Sequence, residues 1–126
     1  MADRRAADHF ALPVIGIDLG AELAALPATA AYHDADHSAT TLAKQSELRV
    51  VLVALRAGGS MSEHRADAPI AVQGLEGRIR FDVGDDHHEL TPGQVLVVAP
   101  GLRHTVVATV ESAFLLIIGG LHRSDA

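Results

Sequence analysis

Cysteine is absent from the chain, so neither a disulfide framework nor a thiolate metal site can form. Tryptophan is absent as well, and aromatic residues make up only 3% of the sequence, which argues against a surface on which nucleobases stack. Basic residues are outnumbered, with 10 Lys and Arg against 16 Asp and Glu and a formal net charge of -6. Nucleic-acid binders carry a basic face, so no partner of that class is expected. No apolar stretch is long enough to cross a membrane as a helix. The most apolar N-terminal region, residues 10–31, is broken by Pro13, Asp18, Glu22 and Pro27. It also lacks the basic start and unbroken apolar core of a secretory signal, so no membrane association is expected and the cytoplasm is the expected location.

What is present suits one domain with a real core: 126 residues, of which 48% are hydrophobic. Residues 1–9 are charged and patternless. Residues 10–17 form an apolar arm. Asp18 stands where a helix N-cap would, Leu19, Leu23 and Leu26 recur at helical spacing, and Pro27 ends the pattern, which predicts a short helix over 19–27. Residues 28–38, with His33 and His37 among aspartates, read as a loop. From Thr40 onward the signals are those of strands. Thr40–Leu42 is a short one, and Leu48–Leu55 is a continuous apolar run expected to be buried on both faces. Strands follow over 61–66, 70–76, 78–83, 88–90, 94–98, 104–110 and 113–118, separated by Gly, Pro and Asp turns. Many short strands and one N-terminal helix mean an all-β fold that closes its edges as a barrel or sandwich. The expected division is an arm and helix over 1–36, a barrel over 37–120 and a tail over 121–126.

Between Gly58 and His104 the residues fall into a recognisable register. Gly58, His64 and Gly77 match G-x5-H-x-H-x3,4-E-x6-G, and Gly93, Gly101 and His104 match G-x5-P-x-G-x2-H-x3-N. In this the chain resembles the cupin superfamily. The resemblance implies a cupin-like jelly roll and places His64 and His104 inside one barrel. It also implies four metal ligands, three from the first motif and one from the second. Here the second histidine of the first motif is replaced by Ala66 and its glutamate by Ile70. Ala108 stands in place of the asparagine of the second motif, and the proline falls one position late, at Pro100.

Only His64 and His104 remain of the four ligands. Zinc and non-haem iron centres use at least three protein donors, so two imidazoles make an incomplete metal site. A divalent metal is the cofactor the resemblance implies, and the expectation is that none is bound. Strand alternation puts Ile70 and Val72 on one face, which the resemblance makes the interior. The expected ligand pocket is therefore His64, Ala66, Ile70, Val72, His104 and Val106. No catalytic residue is assigned. His87 and His88 read as a solvated tip beside Asp85 and Asp86, Arg78 and Arg80 as a charged outer face, and Gly74 as a structural glycine at a bulge or close backbone approach. The leading expectation is a cupin that binds a small molecule without a complete metal site. The alternatives are a metal-dependent oxygenase or isomerase using His64 and His104, and a homodimeric interaction module joined through the arm at 10–17.

Overall fold

The computed structural model describes residues 13–26, 36–65 and 67–120, and of residues 62–65 the backbone alone. The described residues form one helix and nine strands. The helix, α1, covers Leu19–Ala25. The strands are β1 (His37–Gln45), β2 (Leu48–Leu55), β3 (Ser60–Arg65), β4 (Ile70–Glu76), β5 (Ile79–Val83), β6 (Asp86–Leu90), β7 (Val95–Val98), β8 (Arg103–Ala108) and β9 (Ser112–Gly119). They build two antiparallel sheets, of order β1-β2-β9-β4-β7 and β3-β8-β5-β6. The sheets pack face to face as a jelly-roll β-sandwich.

The alternation of each strand divides its side chains between an inner and an outer layer. On β2, Val51, Val53 and Leu55 join the core between the sheets, together with Ile70, Val72, Phe81, Val106, Phe114 and others. Leu52 and Ala54 face the other way, into a second cluster with Leu42 and Leu115. That second cluster is closed by the N-terminal segment, from which Ile17, Leu19, Leu23 and Leu26 pack against the outer face of the five-stranded sheet. Both faces of β2 are thus buried over residues 51–55, which is why its sequence is continuously apolar. The helix starts where the sequence places it: the Asp18 carboxylate accepts a hydrogen bond from the Ala21 N–H at 3.2 Å.

Two glycines are demanded by their surroundings. A Cβ at Gly74 would lie 2.5 Å from the Thr91 carbonyl oxygen, because the β6–β7 turn crosses β4 there. The Gly93 N–H donates to the Gly74 carbonyl and the Gly74 N–H to the Gln94 carbonyl, so Gly74 is the structural close approach expected of it. Gly77 has φ +75°, and a Cβ there would meet Glu111 and Ser112. Ser112 is buried beside it, accepting from the Arg78 N–H at 2.9 Å.

The first strand is longer than its sequence predicts. His37 and Ser38 are strand, not loop, because they pair with Leu55 and Ala54 of β2. Val110, expected at the end of β8, lies in the turn to β9. The expected strand over 88–90 begins at Asp86, paired with Val83.

Candidate functional site

One end of the interior gathers the residues that carry chemistry. β3 ends at Arg65 and β4 begins at Ile70, while β7 ends at Val98 and β8 begins at Arg103. Ile70 and Val98 flank these links on one sheet, and His104 lies near the start of β8 on the other. On β8, His104 shares its face with Val106 and Ala108, both members of the core. His104 is the cross-strand partner of Val83 on β5 and of His64 on β3. Its ring stacks on that of Phe81, with centroids 5.0 Å apart and planes at 24°, an offset geometry that aromatic rings favour. The residue is half-buried, and its Nδ1 is shut off from solvent.

The remaining predicted positions divide in two. Ile70 is 4% exposed, Val72 0% and Val106 2%, all in the core between the sheets, as alternation requires. The backbone of His64 stands opposite His104, whereas its side chain and the whole of Ala66 lie outside the described residues. The donor set does not fit a first-row metal. Ile70 presents a buried alkyl group where the family places a carboxylate, and Ala66 has no donor atom. Among the described residues, no three His, Asp or Glu side chains are grouped to hold an ion.

The other described histidines are His37, His87 and His88. His9, His33 and His122 lie outside the described residues. His37 is paired through Nδ1 with the Asp36 carboxylate at 2.8 Å, where β1 begins. The other Asp36 oxygen accepts from the Ser60 N–H, and these two hydrogen bonds, the His37 one foremost, hold the Asp36 carboxyl below its usual range. His87 does not belong to the tip formed by Asp85 and Asp86. Its Nδ1 lies 2.6 Å from Asp82, its cross-strand partner on the outer face, and Arg80 approaches the same carboxylate at 3.1 Å. The His87 hydrogen bond and the Arg80 charge lower the Asp82 pKa. His88 lies opposite Phe81, on the inward side of β6, because the hairpin register and not the local charge decides its face.

One residue escaped sequence reasoning. Arg49 has the same parity on β2 as Val51, Val53 and Leu55, so it stands on the interior face, opposite Ile118 on β9. It is half-buried, and its Nε is buried with no hydrogen-bond acceptor. The signal was a single charge inside LRVVLVAL. A uniformly apolar run, however, does not reveal which of its faces such a charge occupies.

A two-sheet jelly roll with glycine turns in this register is a cupin. The family model for the cupin domain matches residues 51–119, and the chain belongs to that family. No curated protein sequence matches it. Among solved structures, a cupin-2 domain-containing protein from Shewanella frigidimarina superposes with a TM-score of 0.66 at 17% identity, covering 82% of this chain and 93% of that one. A cupin superfamily protein from Desulfitobacterium hafniense gives 0.63 at 22% identity, over 66% and 76% of the two chains. KdgF from Halomonas sp. gives 0.64 at 16% identity, over 72% and 86%. At these identities the likeness is one of fold.

Proposed function

We propose that this cupin binds a small organic molecule at the His104 end of its interior and does so without a complete metal site. The observation that supports this reading most is Ile70, an alkyl side chain 4% exposed where the family places a carboxylate ligand. Ala108, 1% exposed, likewise puts a small alkyl group on β8 where the family motif has a polar asparagine. Apolar walls with a few placed polar groups are what small-molecule sites require, and one shielded imidazole stacked on an aromatic ring supplies an orienting group. Elemental mass spectrometry on protein purified without a histidine tag tests the reading. Substoichiometric metal is expected, and one equivalent of iron, zinc, manganese or nickel would sink it.

The pairing of His64 with His104 across β3 and β8 favours a second reading, a metal-dependent enzyme whose remaining ligands come from elsewhere. In that case His64→Ala and His104→Ala each abolish metal binding. Metal content unchanged in both variants removes this alternative.

A further inference from the structure

Arg49 is a cation in the wrong place for a purely structural residue. It stands on the inward face of β2, and the row of cross-strand partners running from it across the sheet is Ile118, Ile70 and Val98. That row is the floor of the same end of the interior that His104 enters from the opposing sheet. The Arg49 Nε is shielded from water and donates to nothing, and among the described residues no carboxylate lies within ion-pair distance of the guanidinium. A shielded donor on a charged group without an acceptor is costly and calls for an explanation, and an acceptor from outside the chain is one that removes the cost. The residue directly opposite on β1 is Lys44, a second cation. Like charges facing each other across a ladder are destabilising. An exposed lysine on an edge strand has a second use in blocking sheet extension. Arg49, one strand further in, has no such use. The chain as a whole is acidic, with a net charge of -6, so this local excess of positive charge runs against its composition.

We infer that the molecule held at this end is an organic carboxylate, its anionic head on Arg49 and its apolar body against Ile118, Ile70 and Val98. The inference rests on the proposed binding role of the interior and names the class of ligand. The planar guanidinium fork matches a carboxylate with two parallel hydrogen bonds, which a lysine cannot supply. A single fork above an apolar floor suits a monoanion. A phosphate group spreads nearly two charges over three oxygens and calls for more donors than this row offers. Lys44, exposed at the rim, adds attraction for the incoming anion.

Benzoate and benzamide are suitable probes, because they share size and ring and differ in charge. Each is titrated into the full chain and followed by NMR through the Arg49 Nε–H and His104 ring resonances. Benzoate is expected to bind on the order of tenfold or more tightly than benzamide, the worth of a hydrogen-bonded charge. Arg49→Met should erase that difference and Arg49→Lys should keep part of it. Arg49→Met should also melt no lower than the parent, since it replaces an unsatisfied buried donor with an apolar stem. A clearly lower melting temperature would make Arg49 a structural residue and overturn the inference. Equal binding of the two probes overturns the anionic head while leaving interior binding intact. Failure of benzoate to bind at all also overturns the inference, and the metal assay then decides separately whether the wider reading stands.

Discussion

Ile70→Glu restores the residue type of the cupin motif in surroundings that have no place for it. Ile70 is 4% exposed and lies between Ile118 on β9 and Val98 on β7. Losing its buried side chain costs about 2 kcal/mol. A carboxyl in a fully buried site is raised by up to 3–5 pKa units, and at the end of a sandwich roughly half of that applies. At about 1.4 kcal/mol per unit, the charge adds roughly 3 kcal/mol at neutral pH. Arg49 changes the sum. It stands two strands away in the same row, about 9.5 Å between backbones at the usual strand spacing, within the joint reach of an arginine and a glutamate. A partly shielded pair of this kind recovers roughly 1–3 kcal/mol. The expected loss is therefore about 2–4 kcal/mol in the parent background and about 5 kcal/mol when Arg49→Met is also present. Urea denaturation of the four members of this double-mutant cycle measures both. The raised carboxyl penalises the folded state only where glutamate is ionised in the unfolded chain. The charge contribution must therefore shrink as pH falls below the raised folded value and be nearly gone by about 4.3, leaving the packing loss. A coupling energy of zero would refute the placement of Arg49 at the Ile70 end of the interior. A total loss below about 1 kcal/mol would refute the packed core around Ile70.

Two further outcomes are expected. Gly74→Ala drives a methyl group to 2.5 Å from the Thr91 carbonyl, backbone that cannot swing aside, and should cost about 1–3 kcal/mol. Hydrogen exchange should localise the loosening to β4 and β7, and uniform protection would contradict the close approach. Asp82→Asn removes a carboxylate whose pKa is lowered by the His87 hydrogen bond and the Arg80 charge. The folded group binds its proton less readily than the unfolded one, so its contribution is complete above the unfolded pKa and is lost as pH falls through the folded value. The parent should exceed the variant by less than about 1 kcal/mol near neutrality, as for other exposed pairs. The gap should close below the ordinary aspartate value of 3.8. A gap that widens on acidification would reverse the assignment.

Much of the frame is legible in the chain, because it depends on local constraints. Gly58, Gly77, Gly93 and Gly101 fall in motif register, and all four have positive φ, at 81°, 75°, 90° and 84°. Only glycine takes that conformation readily, so these turns are written in single letters. Strict alternation likewise brings Ile70 and Val72 to the interior, and the Asp18 cap starts the helix. His104 is located by the same register, which also shows Ala66 and Ile70 standing in place of two of the family's ligands.

What the sequence could not decide depends on which strand lies beside which. His37 and Ser38 are weak strand formers that become strand because β2 offers them partners. The face of His88 follows from its pairing with Phe81 across a hairpin, and the stack of Phe81 on His104 joins β5 to a strand more than twenty residues later. Irregular register at Thr41/Ala43, Met61/His64 and Gly74/Glu76 breaks the simple period of two, so alternation read along the chain does not carry through those points. Arg49 is the sharpest case. Within a run apolar on both sides its face is invisible, and only the β2–β9 ladder directs it inward. Local backbone preference and composition thus specified the cupin frame and the address of one histidine. Long-range pairing, which no single segment encodes, decided that the one charge within β2 takes the inward face of its sheet.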